Sequence, residues 1–497
     1  MRGHKWSKRR KKKENKSTKD DRLSVLPDDV IYHILSFLDM REVVKTTCLL
    51  SNKWQYLWRS IPTLNFDNDD IDCKFSCCGC RRTCCECEAC LLQRARFKYF
   101  VNKVFARGST SKLAKFQLRD TFHARTAFVV KWVNAALARK VQDVDISIDG
   151  TKILFLPHKL FSSDVKVLRL RLSCNARVPN LMCAAAWIKN LDLECVKLPD
   201  GNTNGELDMS FPVLESLVIE DCNVSHLKII SISTPVLETL EFRSFHTDKN
   251  SSCKVKTCTP NLKSLTVSVN ISRFDSVVNY SMEDLSSLVS AEIFIRSGSK
   301  YVEECIKCWI EAVSWMYKVQ DLKLPVFNVQ LLLDSPKLLE RLPGVFHNLK
   351  HVMIDMDGHK NFHTRALLKF LERAPHIETL VLQGHDPSWY IPDKFEEERE
   401  RAGQEWVGED WIQSLPSFNH MVFFETRNFN GLNVEMKFLE FILEKAIVLK
   451  KMIIKTKKEW LQGKPCEEIL SFSRASSCVS ILFQVTELNG RELGKKR

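Results

Sequence analysis

The stretch FPVLESLVIEDCNVSHLKIISISTPVLETLEFRSF, residues 211 to 245, states one pattern twice. An apolar residue is followed by two of any kind, a second apolar residue, one of any kind, and a third. Leu214, Leu217 and Ile219 meet this in LESLVI, and Leu237, Leu240 and Phe242 meet it in LETLEF, 23 residues later. The alternation places the second and third apolar residues on one face of a short strand. Pro212 and Pro235 stand just before each unit, where a proline fits a turn into a strand rather than its interior.

Working outward, the pattern begins at Leu113, Val141, Val165, Ile188, Leu214, Leu237, Leu262, Leu288, Val319, Leu349 and Ile377, at intervals of 23 to 31 residues. A strand and return segment of that length cannot bury its apolar face alone, so the units must stack. The spacing matches leucine-rich repeats. The polar position three residues beyond the last apolar residue is irregular: Cys222 and Asn270 in two units, Phe245, Asp357 and His385 in others. Without a regular asparagine ladder, each return segment must satisfy its backbone groups in its own way, and curvature is expected to vary.

Upstream, LPDDVIYHILSFLD at 26–39 sets Leu26, Val30, Ile31, Ile34, Leu35 and Leu38 on one side of a short helix, with Pro27 at its start and Asp28 and Asp29 in its first turn. Val43, Val44, Leu49 and Leu50 continue the apolar pattern, and Trp54, Leu57 and Trp58 repeat at helical spacing, predicting a third short helix. Three short helices cannot bury all of this surface among themselves, so part of it packs on another protein or on the rest of the chain.

These residues resemble the F-box, the helical motif that binds Skp1 in SCF ubiquitin ligases. The resemblance rests on Leu26-Pro27, on Ile34 to Leu38, on Leu50-Ser51, and on Trp54, Leu57 and Trp58; Asn52-Lys53 keeps one charge of the usual basic pair. It implies that Leu26, Pro27, Ile34, Leu35, Leu38, Val43, Val44 and Leu50 form the Skp1-facing surface, with Leu35 and Leu38 as anchors. Trp54 and Trp58 would then join the F-box to the next domain. The repeats, RFKYFVNKVF at 96–105 and Trp132 to Ile146 resemble a plant family in which irregular leucine-rich repeats follow the F-box, and 411–497 resembles the FBD region that follows those repeats. In that region a strand, a helix carrying Phe438, Leu439, Ile442, Leu443 and Val448, and a closing strand at Met452 to Ile454 are expected to cap the solenoid.

The expected class is therefore α/β: a basic tail (1–20), a three-helix F-box (21–66), a cysteine-rich linker (67–95), repeats (96–392), a charged linker (393–410) and an FBD-like α/β region (411–497). The resemblance implies a Skp1-like partner, a cullin reached through it, and a protein substrate on the repeats. A Skp1-binding scaffold without ligase role, a nucleic-acid-associated protein using the tail, and a small-molecule sensor on the repeats are the alternatives.

The formal net charge of +13 is concentrated in residues 1–19, where ten Lys or Arg face one acid. Basicity confined to a tail argues against a nucleic-acid-binding face. KRRKKK at 8–13 reads as a nuclear import signal or as a solvated tail. With no run of 18 apolar residues and no apolar segment behind the first charges, the expected location is nucleus or cytoplasm, without membrane. Nineteen cysteines then read as free thiols or metal ligands. Eight fall in CKFSCCGCRRTCCECEAC at 73–90, and Cys73, Cys77, Cys80, Cys84, Cys87 and Cys90 have spacing compatible with zinc, although a thiol-rich insertion reads equally simply. No other cofactor is expected. Walker, dinucleotide, His-Glu-x-x-His and Gly-x-Ser-x-Gly patterns are absent, and dispersed histidines such as His363, His376 and His385 read as surface or packed repeat residues, so the chain is expected to be non-catalytic.

Overall fold

The computed structural model describes residues 26–49, 54–68, 88–108, 111–120, 126–148, 154–172, 176–179, 185–247, 253–270, 278–296, 309–312, 315–342, 344–356, 364–384, 417–458 and 464–485. The basic tail, Leu50, the charged linker, His363, His385, Asp357 and the cysteine cluster, Cys90's side chain included, lie outside them.

The eleven units of the sequence pattern become eleven strands of one sheet: β2 (Lys115–Asp120), β3 (Asp143–Ile148), β4 (Val167–Arg171), β5 (Asn190–Glu194), β7 (Ser216–Asn223), β9 (Thr239–His246), β11 (Ser264–Asn270), β13 (Ser290–Arg296), β14 (Asp321–Pro325), β15 (His351–Asp355) and β16 (Thr379–Gln383). Four further strands complete it: β1 (Thr63–Asp67) before them, and β17 (Phe423–Phe429), β18 (Lys451–Thr456) and β19 (Ser480–Val485) after them. Neighbours pair parallel and in register, as in Leu217 beside Leu240 and Leu265 beside Leu240. The pattern's second and third apolar residues point inward and are buried in every unit from Phe116 and Leu118 to Leu380 and Leu382.

The return layer changes character along the chain. Near the amino-terminal end it is helical: α3 (Glu88–Arg107), α4 (Thr126–Ala138) and α5 (Lys159–Ser162). In the middle it becomes a second parallel sheet of β6 (Glu206–Met209), β8 (Ile229–Ser233), β10 (Cys253–Cys258) and β12 (Val278–Glu283). Further on, helices return as α6 (Val326–Asp334), α7 (Pro336–Leu339), α8 (Thr364–Glu372), α9 (Asn433–Lys445) and α10 (Lys464–Ser471). Helices need about 10 Å between axes and strands less than about 5 Å, so the outer layer is thin in the middle and thick toward both ends.

One expectation changes. The carboxy-terminal region does not close at Met452–Ile454: β18 is followed by α10 and β19, and β17, β18 and β19 are three more rungs of the same solenoid. The third short helix expected at the tryptophan segment is, among the described residues, the 3-10 helix Leu57–Arg59, after which the chain passes Pro62 into β1.

Irregular repeats are stabilised unit by unit. Cys195, Asp221, Ser244 and Asn428 share one repeat position and a left-handed backbone, with φ of 54°, 50°, 53° and 56°. At the same position Gly384 leaves no room for a side chain, since a Cβ there would lie 2.6 Å from the Arg427 carbonyl. The buried Cys222 thiol, its pKa driven up by desolvation, bonds the Leu193 carbonyl at 3.3 Å.

At β13 the pairing with β14 covers only Ser290 to Glu292, because the chain turns at Pro325 into α6. Asn328 of α6 fills the gap: its side-chain amide donates to the Ile295 carbonyl at 2.6 Å and its oxygen accepts the Ile295 amide at 3.1 Å, all fully buried. Asn328→Leu strands both backbone groups, and thermal and denaturant unfolding should show a loss of about 2–4 kcal/mol.

In the carboxy-terminal region Glu435 accepts the backbone amides of Leu432 (2.9 Å) and Asn430 (3.1 Å), which sets the turn from β17 into α9. Burial pushes its carboxyl up to about 7, partly offset by those amides. The native state therefore prefers the protonated acid, and stability present below the ordinary glutamate range is lost as pH rises through about 7. The residue as a whole is half-buried, which trims the effect to about 1–3 kcal/mol. Melts from acid to neutral pH should show this decline in the wild type, and Glu435→Gln should flatten it.

Candidate docking surface

α1 (Asp28–Leu35) and α2 (Met40–Leu49) stand at the first edge of the sheet. Pro27 occupies the position before α1, where its carbonyl accepts the amides of Val30 and Ile31, each at 3.1 Å. Apolar residues run along α1 and its exit in two stripes. Ile31, Leu35 and Leu38 turn inward, with Ile31 and Leu35 buried and Leu38 partly so. Val30, Ile34 and Phe37 form the adjacent stripe, and it faces outward: Ile34 is 47% and Phe37 73% exposed, and Leu49 at the end of α2 is 77% exposed.

The inward stripe joins the core of the solenoid. Met40, Val43, Trp54, Trp58, Ile61, Leu64 and Phe66 are buried in the same cluster as Phe97 and Val101 of α3. Phe66 meets Phe116 of β2 edge-on at 6.3 Å and Phe100 of α3 at 6.2 Å. Each such side chain contributes roughly 1.5–3 kcal/mol of burial, so the helices are part of the folded body.

One carboxylate fixes their orientation. Asp39 precedes α2 and caps it, accepting the Arg41 amide at 2.7 Å, while its other oxygen accepts the Asp67 amide at 2.9 Å. Arg41 returns to Asp39 through Nε at 3.2 Å and also donates to the Asp67 carbonyl. The outward amide and carbonyl of Asp67, at the end of β1, are thus paired by side chains at the start of α2.

The residues expected at the docking surface are divided by this arrangement. Ile34 and Pro27 are exposed; Leu26, Leu38 and Val44 are partly buried against the core; Leu35 and Val43 are fully inside it. Leu35, expected as an anchor, is buried in the core of the free chain. Trp54 and Trp58 lie in the core where the helices meet the first strand. Sequence reading passed over Phe37 and Leu49 as surface anchors; the signal available was the i, i+4, i+7 spacing of Val30, Ile34 and Phe37 beside that of Ile31, Leu35 and Leu38.

The outward face of the long sheet is a second surface, built from residues between the inward apolar positions. Its charges are largely paired from strand to strand. Asp143 lies 3.1 Å from Arg169 and 3.7 Å from Lys115, Arg243 bridges Glu241 (2.6 Å) and Glu220 (3.5 Å), and Glu425 holds Arg427 (2.6 Å) and Lys455 (2.8 Å). Burial would raise Glu425, but the Lys455 and Arg427 hydrogen bonds outweigh it and hold its carboxyl below the ordinary range. Asp145 and Asp192, on β3 and β5 either side of Arg169, are instead raised by burial, Asp192 also by Glu194.

Among the described residues no group of three His, Cys, Asp or Glu is placed to hold a metal, and no helix is long and apolar enough to cross a membrane. His376 packs between His347 and His420, with ring centroids at 6.1 and 5.1 Å, in a row across successive repeats.

The F-box domain pattern matches residues 23–65 and the FBD pattern residues 418–454. An F-box/LRR-repeat protein of Arabidopsis thaliana is 27% identical over 378 residues, covering 73% of this chain and 92% of the relative. A second, from the same plant, is 30% identical over 382 residues, covering 73% of this chain and 69% of the relative. An FBD-associated F-box protein of Arabidopsis thaliana is 24% identical over 472 residues, covering 92% and 95%. With helices that present an apolar face at one edge of a leucine-rich-repeat sheet and an FBD continuing that sheet, the chain belongs to the F-box/LRR-repeat protein family.

Proposed function

We propose that this chain is the substrate-recognition subunit of an SCF-type ubiquitin ligase, carrying no bond chemistry of its own. The observation that carries this reading is the outward stripe of Val30, Ile34 and Phe37, with Leu49, on helices whose other face is locked into the repeats. Apolar side chains so exposed on a rigid support are what a helical partner of the Skp1 type buries. A cullin is reached through that partner. The long sheet offers the substrate a surface whose own charges are satisfied, so binding depends on matching its pattern rather than on net attraction.

The work done is positional. Holding a substrate near a charged conjugating enzyme raises effective concentration, and a rigid joint between docking helices and repeats preserves the geometry that makes it productive. The Asp39 and Arg41 contacts to Asp67 are that joint. The basic run at 8–13 supports a nuclear pool of the protein, and the zinc reading of the cysteine segment stands on its spacing.

Substitution separates docking from folding. Ile34→Glu with Phe37→Glu should reduce capture by a Skp1-type partner at least about 100-fold while leaving the melting temperature unchanged, because both side chains face solvent in the free chain. Leu35→Ala should instead cost about 2–4 kcal/mol of stability. Undiminished capture by the double variant would assign docking elsewhere. For the substrate, affinity purification with and without proteasome and neddylation inhibition should yield proteins enriched only under inhibition; an unchanged profile would favour a scaffold.

A further inference from the structure

The two ends of the long sheet are unlike. At β1, α2 packs against the strand, and Asp39 and Arg41 pair the outward backbone groups of Asp67. At the other end β19 pairs only with β18, and no described element lies beyond it. In β18, Met452 and Ile454 are fully buried, while their partners in β19, Ile481 and Phe483, are only half-buried. Val485 (47% exposed) follows them on the same face, Leu482 (38%) stands on the other face of the strand, and Leu470 of α10 is 50% exposed. Among the described residues the core is thus open here, with one uncovered layer.

The edge itself lacks the usual safeguards. Ser480 to Val485 reads SILFQV, with no charge, no proline and no bulge against β18, the features by which proteins prevent strands from pairing with other chains. Head-to-tail growth is opposed, because at β1 the outer edge is paired at Asp67 with Asp39 and Arg41 and α2 packs against the strand. What remains is pairing of this edge with itself.

We propose that β19 is a self-association edge, and that two copies of the chain join there about a twofold axis perpendicular to the sheet. Strands related in this way run antiparallel, and residues directly opposite must share a face. Centred on Leu482, the register sets Ile481 of one copy against Phe483 of the second on the core side, and Ser480 against Gln484 and Leu482 against itself on the outer side. Each open core then supplies the missing layer of the other. The return layer agrees in charge. α10 runs opposite to β19, so the exposed Glu467 and Glu468 lie toward the end of the sheet where β19 finishes, and the exposed Arg474 toward the end where it starts. The twofold axis brings the acidic pair of one copy to the arginine of the other. The F-box faces stay free at the far ends, so the dimer presents two docking helices and one continuous substrate surface.

The test is the mass of the full chain bound to its Skp1-type partner, measured by sedimentation velocity across the micromolar range. Two receptor copies per particle are expected. Leu482→Lys sets like charges opposite each other on the axis and should weaken association at least about tenfold, with melting unchanged because the side chain is exposed. Reversing Glu467 and Glu468 to Arg should weaken it about three- to tenfold, and adding Arg474→Glu should restore it, a recovery that no folding defect would give. A chain lacking residues 486–497 should dimerise as the full chain does. A monomeric full chain, dimers indifferent to Leu482→Lys, or dimers appearing only once 486–497 are removed would overturn the proposal; the last would show that this edge is covered by the chain's own carboxy-terminal residues.

Discussion

Every strand of the long sheet depends on the strand beside it. A single repeat offers two or three apolar side chains on one face and a row of unpaired amides on each edge, and neither is stable in water. Stacking answers both needs at once: the parallel ladder pairs the amides, and the inward rows from Phe116 to Leu380 close into one continuous core. A solenoid held in this way has no centre, only ends, and the ends carry the distinctive chemistry of this molecule.

The amino-terminal end is where docking and folding share residues. The F-box contributes β1 to the sheet, Trp54 and Trp58 to the core, and Asp39 to the backbone of Asp67. Its helices therefore move with the repeats, as a receptor that must hold a substrate at a set place requires. The same α1 buries one stripe in the core and leaves the next exposed, one residue apart. Among the described residues the opposite end has no such closure, and the FBD continues the stack.

Much of this was legible in one sequence. Each of the eleven pattern units is a strand, because burial on one face of a strand demands alternation and stacking demands a regular period. The F-box helices were legible from apolar spacing and from Pro27. Less legible were contacts made across many residues: Asn328 replacing a strand partner for Ile295, Glu435 holding the turn into α9, and the second sheet that replaces helices in the middle of the return layer. None of these has a local signature, since each depends on which backbone groups the neighbouring unit leaves unpaired.

The sequence by itself determined that strands repeat, that apolar helices precede them, and that catalytic motifs are missing, because periodicity and motif are properties of neighbouring residues along the chain. Only the tertiary structure decided which stripe of α1 is buried and which is exposed, that the F-box is bolted to β1, and that β19 is the last strand among the described residues. Those outcomes turn on what each face meets across the fold. Ile34 and Leu35 are adjacent in sequence and alike in chemistry, and one faces solvent while the other lies in the core because the core cluster lies against only one side of the helix.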